Sequence, residues 1–285
     1  MPERPDLEYV VPILDRELAG KAITSVRVDK PVVLRVAIRD PVTVVVGRAF
    51  TRVRRRAHFV IFDLAGEPAL EIAVAPMLAG RFALASPGDR RPADVALTLA
   101  LSDGRELRYR DDVQMGKVYV IDAAREAEVP GLGVVGVDVL DRRAFTRAAF
   151  RALAKTRKDQ VKVFLLDKAA LDAMGNAYAD EVLFAARIHP KTFVRSLSED
   201  EVDRLHDAIV TVLREARDEV ARQKPALDEK VRSFLQVRNR HGEPCPRCGA
   251  TIRKAGVHGH DAFYCPECQP DGRRSALVDF RKAKR

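Results

Sequence analysis

Cysteine is scarce in this chain, with four residues in 285. A set that sparse excludes a secreted scaffold stitched together by disulfides. No apolar run reaches the ~18 residues that a membrane-spanning helix needs, and no signal peptide is expected ahead of Pro2. Internal repeats and low-complexity tracts are absent as well, which removes repeat architectures. What is present is an ordinary globular composition, 47% hydrophobic and 32% charged, unlike that of a disordered or fibrous chain. At roughly 100–200 residues per domain, the length is expected to hold about two domains. Lys and Arg number 50 against 41 Asp and Glu, leaving a net charge of +9 and a pI near 9.6. That balance favours an acidic polymer as partner. The expectation is a cytoplasmic, two-domain protein that faces nucleic acid and no membrane.

The four cysteines are grouped. They stand as Cys245-Pro-Arg-Cys248 and Cys265-Pro-Glu-Cys268, with sixteen residues between the pairs. Two C-x-x-C knuckles at this separation suit one tetrahedral Zn²⁺, each giving two thiolates from a tight turn. Two disulfides and a redox pair are the competing readings; a reducing compartment and the second knuckle speak against them. His258 and His260 lie between the knuckles, but four thiolates already close a structural site. The stretches 250–254 and 262–264 alternate as a β-hairpin should. With Arg253, Lys254 and two histidines nearby, that hairpin is expected to reach a phosphate backbone. A solvated turn is the plainer alternative.

Upstream, Leu7, Val10, Val11, Leu14 and Leu18 keep helical spacing up to Gly20, with Pro12 expected to kink the helix or remove a hydrogen bond. Short β-branched runs follow at 23–29, 32–38, 42–46, 58–64, 70–74, 81–85, 95–101, 106–110 and 117–121, the spacing of a sandwich or barrel. After a Gly- and Val-rich connection, helices are expected over 143–154, 159–171, 178–187 and 199–223. Ser198 and Glu201 offer a capping box to the last of these, and Gly175-Asn176 interrupts the helical text. Arg48, Arg52, Arg54, Arg55 and Arg56 occur with no acid among them. A second basic cluster, Arg273, Arg274, Arg281, Lys282, Lys284 and Arg285, closes the chain. Beside a zinc ribbon, both clusters read as phosphate-tracking surface.

Three stretches together resemble one family. Residues Met1-Pro-Glu-Arg-Pro-Asp-Leu-Glu8 resemble the start of the formamidopyrimidine-DNA glycosylase/endonuclease VIII family. The run from Gly175 to Phe184, with Ile188-His-Pro190, is similar to that family's helix–two-turns–helix signature. Phe234–Val237, Gly242–Cys245 and Phe263–Gln269 resemble its zinc-finger segment. The resemblance implies an α+β chain, with a catalytic two-layer β-sandwich and flanking helix over 1–130 and a connection over 131–141. A helix–two-turns–helix domain over 142–240, a zinc ribbon over 241–271 and a basic tail over 272–285 complete it. It further implies one structural Zn²⁺, damaged double-stranded DNA as partner, a monomer, and a cytoplasmic or, in a bacterium, nucleoid location. Such enzymes excise oxidised or otherwise damaged bases and then nick the strand by elimination.

The chemistry can be argued on these residues. Removal of Met1 would make Pro2 the N-terminus, and an α-amino group titrates near ~8, so part of it is a nucleophile at neutral pH. Its attack on the sugar C1′ expels the base and leaves an iminium ion. Glu3 suits a general acid for the sugar ring oxygen. By resemblance, Asn176 binds phosphates beside the lesion and Met77 wedges into the stack. Other positions depart from the pattern. His58 stands where the family has a catalytic, phosphate-binding Lys, and His260 where it has a phosphate-binding Arg. Gln114-Met115-Gly116 replaces Arg-Phe-Gly in the loop that fills the void. Asp6 replaces Glu, and Arg238-Asn239 replaces Tyr-Gly. The expected catalytic set is therefore Pro2, Glu3 and His58. The DNA-binding set is Asn176, His260, Arg253, Met77, Gln114 and Met115, and the metal set is Cys245, Cys248, Cys265 and Cys268. The alternative is a damaged- or branched-DNA binding protein whose turnover these departures have weakened.

Overall fold

The computed structural model describes residues 2–35, 44–172 and 174–271. Met1, parts of the strands expected at 32–38 and 42–46, and the basic tail after Asp271 lie outside the described residues. The chain divides into two compact units, Met1–Val135 with Ala216–Val231, and Gly136–Glu215 with Arg232–Arg285.

The first unit opens with helix α1 (Arg4–Leu18). Pro5 in its first turn needs no hydrogen-bond partner, and Leu7, Val11, Leu14 and Leu18 form one buried stripe. Pro12 is exposed and the helix runs through it, so the missing bond falls on the water side. Two sheets follow. One has the order β1 (Ile23–Val28), β7 (Val95–Leu101), β8 (Glu106–Arg110), β6 (Arg81–Ala85). The other runs β2 (Leu34–Arg35), β9 (Lys117–Asp122), β5 (Leu70–Ala75), β4 (Phe59–Leu64), β3 (Phe50–Arg56). Every described pairing in the two sheets is antiparallel except β2 with β9. This is the expected two-layer sandwich.

Strands β4 and β5 are buried on both faces, which explains their unbroken apolar text. Successive side chains point to opposite sides. Val60, Phe62, Leu64, Ile72 and Val74 enter the core that α1 also joins, whereas Phe59, Ile61, Ala73 and Ala75 enter a second cluster with Val129 and Leu132. Fully burying each large side chain stabilises by about 1.5–3 kcal/mol.

Strand β3 was not expected, because arginines mask its alternation. Those arginines are also not a phosphate surface. Arg54 donates to Asp63 at 3.1 Å, Glu71 at 2.7 Å and Glu126 at 2.6 Å, and Arg56 donates to Glu126 at 2.5 Å. Arg55 pairs with Glu8 at 3.4 Å, and Arg48 donates to the carbonyls of Ala65 and Pro68. Arg52 is the exposed member. Elsewhere the 42–46 expectation is corrected where it is described, since residues 44–47 form a helix end and turn.

In the second unit, α2 (Arg147–Lys155) starts later than expected because Thr146 Oγ1 caps it, accepting from Ala149 N–H at 3.2 Å. Helix α3 (Val161–Leu166) stops at Asp167, and Leu171 pairs instead with Val137 in a parallel bridge. Helix α4 (Asn176–Ala186) begins at the Gly175 cap and ends on left-handed Arg187. Helix α5 (Glu199–Gln223) carries the expected box, Ser198 N–H to Glu201 at 2.9 Å and Glu201 N–H to Ser198 at 3.3 Å; its last residues count with the first unit. Strands β10 (Arg253–Val257) and β11 (His260–Tyr264) form the hairpin around a His258-Gly259 turn, both at positive φ, as two-residue turns prefer. Among the described residues, no helix is long and apolar enough to cross a membrane.

Two guanidinium groups face three carboxylates in the Arg54 cluster, so one negative charge is left over. Glu71, only 5% exposed, carries the consequence: burial, with Glu126 and Asp63 nearby, outweighs Arg54 and pushes its carboxyl up from 4.5 to about 7. Between these values the fold holds a proton that the unfolded chain has lost. Its contribution is complete below about 4.5 and disappears as pH rises through about 7. Glu71→Gln is neutral throughout. Its melting temperature relative to the parent should therefore rise by about 2–4 °C between pH 5 and pH 8, and a pH-independent difference would refute this account.

Candidate functional site

Pro2 and Glu3 lie directly ahead of α1, and both are buried, Glu3 to 5% exposure. The helix start holds them by a reciprocal cap. Glu3 N–H donates to Asp6 Oδ2 at 2.8 Å, and the Glu3 carboxylate accepts from the Asp6 backbone N–H. Asp6, shorter than the family's Glu, still closes this cap. The Glu3 carboxylate therefore sits at the positive end of a helix dipole, beside the residue whose nitrogen would be reactive. Chain termini usually fray; this one is tied down.

His58 occupies the turn between β3 and β4, after Ala57 at φ 51°. It is 8% exposed, its ring centroid 4.5 Å from that of Phe59. A Cβ on Gly131 would lie 3.3 Å from His58 Cε1, and Gly131 has φ 98°. The Gly-rich segment expected to be a connection thus has a second use: it seats His58. That contact had no sequence signal beyond the glycine itself.

Met77 is half-buried against the Phe59 cluster, and Gln114 and Met115 are exposed on the loop after β8. The structure brings a residue into this group that sequence reasoning missed. Asp111, fully buried, accepts the N–H groups of Val113 at 3.2 Å, Gln114 at 3.0 Å and Gly116 at 2.7 Å. One carboxylate shapes the whole loop.

In the second unit, Asn176 is the first residue of α4, and its Nδ2 lies 3.5 Å from His260 Nδ1 on β11. Two residues 84 positions apart are thus one polar pair beside a helix N-terminus, where anions are favoured. Arg253 is not part of it. Its partner across the hairpin is Tyr264, whereas His260 faces Val257, so about 13 Å of strand separates them. Arg253 instead lines a cleft of about 580 Å³ with His189, Lys191 and Tyr264.

Buried ions hold the hairpin to the helices. Lys162 of α3, with no exposed surface, donates to Asp180 of α4 at 2.5 Å and to the Asp261 carbonyl at 2.6 Å. Arg238 donates to the other Asp180 oxygen at 2.8 Å and to the same carbonyl at 3.2 Å. Its guanidinium carbon lies 4.9 Å from the Phe263 ring centroid. Glu181 accepts the backbone N–H groups of Gln236, Val237 and Arg238 at 2.7–3.0 Å. Asp261 directly follows His260, so these bonds fix the strand that carries it. The departure to Arg238 was visible in the sequence; its partners were not.

The four cysteines converge. Their sulfurs all lie within 4.8 Å of one another, with pairs at 3.4, 3.5 and 3.9 Å. A regular tetrahedron with Zn–S near ~2.3 Å puts the sulfurs about 3.8 Å apart, so the donor set fits one zinc ion. None of these separations is a disulfide. Burial opposes ionisation of Cys245, but the N–H groups of Arg247 and Cys248 draw it down to about 7, whereas burial and its three thiol neighbours push Cys268 up to about 12. Behind the sulfurs, Gln269 accepts from Cys265 N–H at 3.0 Å and donates to the Ile188 carbonyl at 2.9 Å.

Comparisons agree with this layout. The chain matches the formamidopyrimidine-DNA glycosylase N-terminal domain over residues 1–118, the H2TH domain of that glycosylase over 135–224, and the zinc finger found in FPG and IleRS over 242–270. It is 34% identical to a formamidopyrimidine-DNA glycosylase of Symbiobacterium thermophilum, covering 95% of this chain and 90% of that one. It is likewise 34% identical to one of Geobacillus kaustophilus, covering 94% and 100%. Among solved structures, Lactococcus lactis Fpg with abasic-site DNA superposes at a TM-score of 0.85, 27% identical over 94% of this chain and 100% of that one. The same protein with DNA carrying an oxidised pyrimidine gives 0.85 over 95% and 100%.

Two substitutions test this architecture. Cys265→Ser should lower bound zinc from one ion per chain to none by elemental analysis, and retained zinc would contradict a four-thiolate site. Lys162→Met, which strips a buried carboxylate of one partner, should cost about 3–5 kcal/mol in denaturant unfolding; a loss below about 1 kcal/mol would show that Arg238 suffices.

Proposed function

The chain belongs to the formamidopyrimidine-DNA glycosylase family, and from that premise we propose that it excises damaged bases from double-stranded DNA through a Schiff base on Pro2. The observation that carries this reading is the buried Pro2–Glu3 pair, fixed by the reciprocal cap at the start of α1. With Met1 removed, the Pro2 nitrogen lone pair attacks C1′ of the damaged nucleotide. The C1′–N bond breaks, and the base leaves with its electrons and takes up a proton. Glu3 donates a proton to the sugar ring oxygen as the ring opens, giving an iminium between Pro2 and C1′. That cation acidifies the C2′ proton; its loss expels the 3′ phosphate, and water then releases the sugar remnant from Pro2.

Base extrusion must precede attack, because C1′ of a stacked nucleotide is out of reach. Met77, Gln114 and Met115 fill the place of the extruded base. Asn176 and His260 hold phosphates, Asn176 by its amide and the α4 N-terminus, His260 by its exposed ring. His58, covered by Phe59 and Gly131, acts as a lining group of the reacting centre and not as a phosphate clamp. Arg253 contacts phosphate further along the strand. Zinc, held by Cys245, Cys248, Cys265 and Cys268, supplies cross-linking that fixes the hairpin and takes no part in the reaction. The protein acts as a cytoplasmic monomer, nucleoid-associated in a bacterium, on oxidised or otherwise damaged bases.

Borohydride trapping on a duplex with a natural abasic site tests the reaction. A covalent adduct is expected, and it should vanish in Pro2→Ala with a blocked N-terminus. Tight binding with no adduct would favour the binding protein instead. His260→Ala should weaken affinity for such a duplex about tenfold and His260→Arg should restore it; an unaffected affinity would remove His260 from the phosphate contacts.

A further inference from the structure

Two loops of the first unit emerge side by side. Residues 76–80 lead into β6 and residues 111–116 leave β8, and the adjoining Arg81 and Arg110 are paired across the two strands. Tyr109, 2% exposed, stands beneath both. A Cβ on Gly80 would come within 2.3 Å of its hydroxyl, and one on Gly116 within 1.9 Å. Both glycines are therefore required for the two backbones to close on the same ring. Arg81 adds a tie, reaching Asp94 at 2.7 Å and Asp112 of the second loop at 3.7 Å. The Leu78 carbonyl accepts from Lys230 Nζ at 3.1 Å.

What the loops present is apolar. Leu78, Val113 and Met115 are 52%, 49% and 44% exposed, three of the six most exposed large apolar side chains among the described residues. Met77 stands beside them. Met77 and Gln114 both hold left-handed backbone, at φ 48° and 57°, which disfavours side chains of this kind and marks positions held for use. Neither loop contains Lys, Arg or His, and the second contains Asp111 and Asp112. A phosphate has no cation to meet there. Flat, uncharged nucleobase faces do fit, since an apolar wedge replaces the stacking a kinked duplex loses.

We infer that this pair of loops receives the base left opposite the extruded nucleotide, and that it reads that base scarcely at all. The inference rests on the DNA-excision reading above. Discrimination requires polar groups fixed against a base edge, so that the wrong base leaves them unpaired. Gln114 carries the exposed side-chain amide here, and an amide offers both a donor and an acceptor that exchange places on rotation. It can answer the edge of any of the four bases. A guanidinium offers donors alone.

The test is the affinity of the full zinc-loaded chain for four duplexes bearing a tetrahydrofuran abasic analogue opposite A, C, G or T, with an intact duplex alongside, at one salt concentration. The expected result is at least tenfold tighter binding to all four than to the intact duplex, with the four within about threefold of one another. Val113→Arg, at an exposed position, should open a gap of tenfold or more in favour of cytosine, whose N3 and O2 are adjacent acceptors. A tenfold or wider spread in the parent protein overturns the inference, as does equal affinity for abasic and intact duplex. The analogue cannot form a Schiff base, so an absent borohydride adduct beside the expected affinities would overturn the Pro2 reading alone.

Discussion

A reactive chain terminus has nothing before it to hold it in place, and that constraint organises the first unit. Ends of chains fray unless docked. Here docking is achieved by α1, whose stripe of Leu7, Val11, Leu14 and Leu18 enters the sandwich core and whose first turn locks Glu3 against Asp6. The Asp15 carboxylate accepts the Val53 N–H at 2.5 Å, fastening the helix to β3. The position of Pro2 is thus set by side chains up to fifteen residues downstream. Removing apolar contacts at Leu14 would disturb chemistry at a residue it never touches.

Charge in this protein is mostly internal. The excess of +9 suggests a surface ready for an anionic polymer, yet the densest described basic run is committed to Asp63, Glu71, Glu126 and Glu8. Lys162 and Arg238 likewise converge on Asp180. Buried pairs of this kind add little net stability, because desolvation offsets the Coulombic gain. Their effect here is geometric. They fix a strand carrying a histidine and a turn carrying another, each to within a hydrogen bond.

The two histidines that replace expected cations are not equivalent. His58 is enclosed by Phe59 and Gly131, and His260 is exposed beside Asn176. A shorter side chain on a rigid hairpin can still meet a phosphate where a zinc site and a buried ion cluster hold the hairpin. A shorter side chain in a covered turn acts only on what reaches it. The same substitution class therefore has two different meanings on one scaffold.

Composition, spacing and local chemistry determined a good deal unaided. Paired C-x-x-C knuckles specify their own metal because both ligands of each come from one turn. Period-2 and period-3.6 patterns marked most strands and helices, and the Ser198–Glu201 box marked the start of α5. These are short-range features, complete within a few residues. The tertiary structure alone decided which charges were left for a ligand, because an ion pair such as Arg54 with Glu126 joins residues 72 positions apart. It alone placed Asn176 against His260, hid β3 under arginines, and set two glycines from different loops on one Tyr109 hydroxyl. Such contacts form only when separate elements pack, and no local pattern of residues encodes a partner that arrives from another strand.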